Sequence, residues 1–219
     1  MYRRNDVRGL DSSDMNMKKI LIGGGGHARS IAEAVGAEKF DGYTALEEAK
    51  VPFGVPYAGR DSDISGESCA VHIAVGFNDG IRMTLRRKII DFFDGVPVFS
   101  VISPHAVVTP NSVIGDGSAV MINAVVNRSV LGRHCVVNTG AIVEHDCRIG
   151  ENVFIAPGAV LCGEVTVGDD VFIGAGSVIR NGVSICSGAS VGMGAVVASD
   201  LSVPGMYVGY PARLLESYQ

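Results

Sequence analysis

No stretch of the 219-residue sequence approaches the ~20 consecutive apolar residues of a membrane span, because polar residues or glycines interrupt every hydrophobic run. A basic excess is missing too. Eighteen Lys and Arg stand against 23 Asp and Glu, a formal net charge of −5, which removes the electrostatic footprint of a nucleic-acid binder. The five cysteines, Cys69, Cys135, Cys147, Cys162 and Cys186, form no CxxC pair and no even framework, so no disulfide scaffold is indicated. This cysteine usage points to a reducing compartment, the cytoplasm. Residues 1–17 lack the apolar segment of a signal peptide and read as a disordered leader, with Met17 as an alternative start.

What the sequence does have is a period of six. From Leu131 an aliphatic residue returns at Val137, Val143, Ile149, Ile155, Leu161, Val167, Ile173, Ile179, Ile185, Val191, Val197 and Val203. Small or short side chains follow each by four residues, as at Cys135, Ala141, Cys147, Ala159 and Ala189, and glycine often takes the second slot, as in Ile149-Gly150 and Val191-Gly192. An earlier register (Ile102, Val108, Ile114, Val120) meets this one with one residue deleted, expected near residues 121–124. Six is neither a helical period nor a strand alternation. A fixed repeat means stacked copies of one small unit, each burying its apolar side against its neighbours. Three short strands then close one triangular coil with the aliphatic residue inward, and at about 4.8 Å per coil roughly a hundred residues build a prism of about 27 Å. Glycines let the backbone turn corners where a bulky Cβ would clash. The reading is an all-β parallel β-helix over residues 101–206, closed by a C-terminal cap over 207–219.

The region ahead of the ladder reads as α/β. Lys18–Ile22 is a short apolar strand, followed by four glycines at 23–26, His27 and a helical run over 28–35. A second strand is expected to end near Ala45-Leu46, with Glu47 and Glu48 after it. A third apolar segment over 70–75 leads into Gly76-Phe77-Asn78 and a basic helix over 81–93. Strand, glycine turn and helix make the first unit of a Rossmann-like domain over 18–100, in which glycines admit close backbone approach and the helix N-terminus faces phosphate. Gly23-x-Gly25-x-x-Ala28 also fits the loose dinucleotide fingerprint. Only about eighty residues precede the ladder, half of a dinucleotide domain, so a sugar-nucleotide pocket leads, a turn that serves packing alone comes second, and NAD ranks last.

One hexad differs in chemistry. Val143-Glu144-His145-Asp146-Cys147-Arg148 places three titratable residues in a row, with a histidine facing outward. Histidine suits proton removal near neutral pH, and an adjacent carboxylate can orient the ring and favour the imidazolium as it forms. A solvated charged corner is the alternative. His105, His134 and His145 occupy different hexad positions and do not stack, so no three-histidine metal site is expected. Without a thiol or serine nucleophile motif, direct transfer to an acceptor is favoured over a covalent enzyme intermediate.

The hexad ladder resembles the hexapeptide-repeat transferases, whose coils are left-handed. GGGGHA after the first strand, Gly54-Val55-Pro56, and Ile73-Ala74-Val75-Gly76-Phe77-Asn78 before an Ile-Arg helix resemble, more narrowly, the bacterial sialic acid O-acetyltransferase type proteins and their relatives that N-acetylate nucleotide-linked 4-amino-sugars. The resemblance covers residues 18 to about 215 and implies an acetyl-CoA-dependent enzyme of surface-glycan biosynthesis, usually a homotrimer with acyl-CoA between neighbouring coils. By match of position it implies His145 as catalytic base with Asp146 as its helper, and a sugar-nucleotide pocket lined by Gly25, Gly26, His27, Glu47, Glu48 and Gly76. It further implies an acetyl-CoA site beside Phe154, Ala175 and Met193, and a supporting role for Asn138. Relatives often carry aspartates at Glu47-Glu48 and a second histidine at Phe154, so sugar and acyl contacts differ here. Val208-Gly209-Tyr210-Pro211-Ala212-Arg213 matches the ending that lies near the CoA nucleotide in such enzymes, and also reads as a capping turn. Amine and hydroxyl acceptors both remain open, with the 4-amino group of a nucleotide-linked sugar favoured. A non-catalytic β-helix scaffold is the rival from another class, and leaves the glycine turn and the EHD hexad unexplained.

Overall fold

The computed structural model describes residues 17–76 and 83–218. The expected leader up to residue 16, Phe77, Asn78 and the expected helix start at Ile81 lie outside the described residues.

Three parallel strands, β1 (Lys18–Ile22), β2 (Gly42–Thr44) and β3 (Cys69–Ile73), form a small sheet in the order β2-β1-β3. The apolar end of β1 is wholly buried. Helix α1 (Gly26–Val35) follows the glycine turn and buries Ala28, Ile31 and Ala32, a spacing of three and four residues that makes one apolar stripe. It starts two residues earlier than its apolar pattern suggests, because Gly25 takes the extended N-cap conformation and leaves Gly26 and His27 in the first turn. It stops at Gly36, whose positive φ of 101° lets its N–H return to Ala32 O. β2 ends at Thr44 rather than at Ala45-Leu46, since the chain turns outward there and leaves Leu46 83% exposed. Helix α2 (Thr84–Phe92) lies beyond β3.

From Val101 onward, two-residue strands stack into three parallel sheets, the faces of a triangular prism. The first face runs through Val101–Ile102, Ala119–Val120, Val136–Val137, Phe154–Ile155, Phe172–Ile173 and Ser190–Val191. The second runs through Val107–Val108, Val125–Val126, Ile142–Val143, Val160–Leu161, Val178–Ile179 and Val196–Val197, and the third from Val113–Ile114 through Val130–Leu131 and Arg148–Ile149 to Ser184–Ile185. The second residue of each pair points inward; from Leu131 to Val197 all are 5% exposed or less, as are the small residues four places on. Second-slot glycines prove to be set by contact between coils: a Cβ on Gly174 would sit 2.6 Å from the backbone of Gly192. A hairpin of Gly205–Val208 and Arg213–Ser217 closes the end.

Two details of the ladder differ from the sequence reading. The five-residue step lies between Val126 and Leu131, not near residues 121–124. Val125-Val126 fits either register when read as sequence; in the fold Val126 is fully buried and Ser129 Oγ bridges the shortened corner to Glu144 O at 2.6 Å. The ladder also ends at Val197. Leu201 takes the next inward place against Ile185, and Val203 is 44% exposed.

The outward residues give each face its own character. Those of the first face, Val101 to Ser190, are buried, and from Val101 through Phe172 they share one core with Ala28, Ile31 and Ala32 of α1. Those of the third face from the third coil on are Arg148, Thr166 and Ser184, all exposed. Those of the second face are Val107, Val125, Ile142, Val160, Val178 and Val196, every one β-branched and apolar and none buried within this chain.

Candidate active site

In an open parallel sheet, ligands bind outside the carboxyl ends of the strands, where the strand order reverses. Here the order reverses at β1, and a cavity of about 1060 Å³ opens at that place. Its wall is built from residues 23–27 after β1, Thr44 at the end of β2 with Ala45 and Leu46 beyond it, Ala74 to Gly76 after β3, α2 residues including Lys88, and the β-helix residues Asn138, Thr139, Phe154 and Pro157.

The four glycines of the turn divide into two pairs. A Cβ on Gly23 would lie 2.8 Å from the Val75 side chain, and one on Gly24 2.6 Å from the Tyr43 ring, so packing demands both. A Cβ on Gly25 or Gly26 would meet nothing within 4 Å. Neither has a positive φ, so the protein itself does not require glycine there; both open onto the cavity beside the free N–H groups of the first turn of α1. That is the geometry for backbone approach to an anion.

His27 lines the cavity with its ring 5.5 Å from that of Phe154. Its Nε2 is buried without a hydrogen-bond partner. Burial first, then the Arg86 charge, lowers its pKa to about 3, so the ring is neutral at working pH. Glu47 and Glu48 are exposed beyond Leu46 and form no part of the cavity wall. At the end of β2 the carboxylate belongs to Asp61, which accepts a 2.5 Å hydrogen bond from Thr44 Oγ1. Arg60, Asp61 and Ser62 reach the cavity from the single 3-10 turn Asp61–Asp63 and its N-cap, and Lys88 from α2. None of the four carries a motif that sequence reasoning could have used.

Phe154 is buried between the layers, stacked on Phe172 with ring centroids 5.9 Å apart and also facing the cavity. Ala175 and Met193 follow Thr139 and Pro157 at intervals of eighteen residues along the same prism edge, and Met193 is 81% exposed. Asn138 accepts from Thr139 N at 2.7 Å and stands beside it on that edge.

His145 occupies another edge, the corner between the second and third faces. Its Nδ1 lies 3.0 Å from Asp146 Oδ2. Asp146, held at a φ of 62°, also receives Arg128 on Oδ1, with Nη2 at 3.0 Å and Nε at 3.1 Å. The hydrogen bond from His145, with the Arg128 charge adding, holds the Asp146 carboxyl below the usual range. An ionised Asp146 accepts from Nδ1–H and leaves Nε2 as the proton acceptor. Glu144 Oε2 is tied back by Asn127 Nδ2 at 3.0 Å and does not reach the ring. Arg128 was not legible as a site residue, because its partner lies eighteen positions away in the next coil. Among the described residues, no three His, Cys, Asp or Glu side chains converge as metal ligands, and no helix is long and apolar enough to cross a membrane.

The stacked hexapeptide coils are those of the left-handed β-helix acyltransferases. Residues 94–181 match the family model described as the GMPPB C-terminal domain, and residues 164–199 the model described as the hexapeptide repeat of succinyl-transferase. No curated protein matches the sequence. Among solved structures, the acetyltransferase domain of PglB from Neisseria gonorrhoeae FA1090 is 33% identical with a TM-score of 0.81, covering 91% of this chain and 100% of that one, and a second structure of it contains acetyl coenzyme A. PerB from Caulobacter crescentus, solved with CoA and GDP-perosamine, is 34% identical with a TM-score of 0.76, covering 90% and 96%. The perosamine N-acetyltransferase of that organism was also solved with one histidine replaced by alanine or by asparagine. WeeI from Acinetobacter baumannii AYE is 27% identical, TM-score 0.73, covering 91% and 100%. The chain belongs to this family of acetyl-CoA-dependent N-acetyltransferases of nucleotide-linked amino-sugars.

Proposed function

We propose that the chain transfers the acetyl group of acetyl-CoA to the amino group of a nucleotide-linked amino-sugar, in the cytoplasm, as a step of surface-glycan synthesis. The observation that carries this is the cavity at the carboxyl ends of β1 and β3, which has open glycines on one side and a β-helix edge on the other. The small domain is read as a Rossmann-like unit: Gly25, Gly26 and the first turn of α1 take the diphosphate, Gly76 and His27 shape the sugar end, and Glu47 and Glu48 are reached only by a ligand extending past Leu46. Acetyl-CoA is assigned to the edge that runs through Ala175 and Met193, with Phe154 behind it.

Within one chain, the cavity edge and the His145 edge flank opposite sides of the second face. That face is the apolar, uncovered one. Turned to a threefold axis, it would be buried against copies of itself, and a cyclic contact of this kind sets one corner of each protomer against the other corner of its neighbour. The homotrimer follows: the cavity of one protomer receives His145 of the next. The amine attacks the thioester carbonyl carbon, the N–C bond forms, and the C–S bond breaks. His145 Nε2 takes the amine proton and returns it to the leaving thiolate, while Asp146 supports the imidazolium.

Incubation with acetyl-CoA and UDP-, GDP- and dTDP-linked 4-amino-sugars, beside free sialic acid, tests the reading through released CoA. Release with a nucleotide-linked amine alone is the expected result; release only with sialic acid would replace it with O-acetylation, and release with none would favour a scaffold.

A further inference from the structure

We propose that Gly163 is the seat of the His145 imidazole, a positioning residue that holds the base from the adjoining coil; this rests on the reading of His145 as general base. Gly163 follows His145 by eighteen residues and occupies the same corner one coil on. A Cβ built on it would lie 2.5 Å from His145 Cε1, 2.6 Å from Nε2 and 3.1 Å from Nδ1. The ring therefore lies against the glycine's α-carbon, in space that no other residue type leaves open.

Other reasons for glycine at this position do not apply. Its φ is outside the left-handed region, unlike Gly158 and Gly176, whose φ values of 67° and 64° demand glycine where nothing crowds them. At Gly132, Gly150 and Gly174 backbone of the next coil stands among the three atoms nearest a Cβ, whereas at Gly163 all three belong to the His145 ring. Gly117 also abuts a ring, that of His134, but its φ of 73° calls for glycine independently. The imidazole is what a Cβ on Gly163 would meet first.

The seat completes a clamp. Arg128, one coil before His145, fixes Asp146, which holds Nδ1; Gly163, one coil after, supports the opposite part of the ring. Because the His145 side chain is 54% exposed, an added methyl group can push it toward solvent without disturbing the core. The displaced ring loses the 3.0 Å contact with Asp146. The cost thus falls on catalysis and not on folding.

Gly163→Ala tests this in two backgrounds. In the otherwise wild-type enzyme it should lower kcat about a hundredfold, the scale carried by a ~1 Å misplacement, with Tm unchanged and the His145 ring signals shifted in a histidine-labelled NMR spectrum. In the His145→Ala enzyme the same substitution should change neither the residual rate nor Tm. Retention of more than half of kcat would overturn the proposal, as would an equal slowing in both backgrounds or a failure to fold. A His145→Ala enzyme with full activity would instead remove the base assignment beneath it, which the single variant alone reveals.

Discussion

Loss of a general base typically slows an enzyme by about a hundred- to ten-thousandfold, and His145→Ala is expected to lower kcat on that scale. Its Tm should stay unchanged, because the side chain is largely exposed and supports no core contact. A steady-state assay beside a melting curve checks both; kcat above a tenth of wild type would mean a solvated corner. Asp146→Asn should do less, since it orients and supports the ring without taking the proton. The glycine turn offers a second test at this scale, by contrast between neighbours. Gly24→Ala forces a methyl group into the Tyr43 ring and should lower Tm, as overpacking costs about 1–3 kcal/mol. The Cβ of Gly26→Val meets no protein atom within 4 Å, so the substitution should spare Tm while weakening sugar-nucleotide binding, with acetyl-CoA binding intact by calorimetry.

Between the layers lies a group of bases, of which Arg86, His72 and His134 are buried and His27 is half-buried. Arg86 is 1% exposed, donates to His134 O at 2.8 Å, and leaves Nε and Nη1 without partners. Burial, with the Arg86 charge adding, lowers the pKa to about 3 for His27, about 4 for His72 and about 3 for His134. An unfolded chain takes up these protons near the ordinary histidine value of about 6.5, whereas the folded chain resists until pH 4 or below. Stability is therefore fully present above that ordinary value and drains away as pH falls through the interval. Arg86→Met should move the acid transition, followed by circular dichroism, to lower pH. Legibility at this scale follows period. The ladder and α1 could be read because their apolar residues recur at a spacing that one kind of element satisfies, and β1 because a short apolar run meets a glycine turn. The five-residue step was misplaced because the Val125-Val126 doublet satisfies two registers, and the wall at Arg60, Asp61 and Ser62 was invisible because a single 3-10 turn is too short to show a period. His145 and Asp146 stood out as charge in an apolar repeat, yet their supports Arg128 and Gly163 show only when one coil is added to or taken from the residue number.

For the whole molecule, the apolar second face is the feature with most at stake. Ile142→Asp puts a charge at its centre and should give a monomer by sedimentation, inactive but still able to bind sugar nucleotide. A trimer that persisted with full activity would take that face out of the assembly. If each site joins two protomers, Gly26→Val and His145→Ala chains, each nearly inactive alone, should recover activity when co-assembled, because some junctions then pair an intact cavity with an intact base. No recovery in verified mixed trimers would place cavity and base in one chain. A prism of near-equivalent coils is also exposed to misthreading: slipped by one whole turn, every aliphatic residue would still face inward. The step from Val126 to Leu131 removes that degeneracy. It makes the turn from Val120 to Val137 seventeen residues long where the next, from Val137 to Ile155, has eighteen. A slipped chain would leave Ser129 away from Glu144 and Cys147, which its hydroxyl joins in the native stack. The absent residue works as a bookmark, giving one threading of the coil contacts that its translated copies lack.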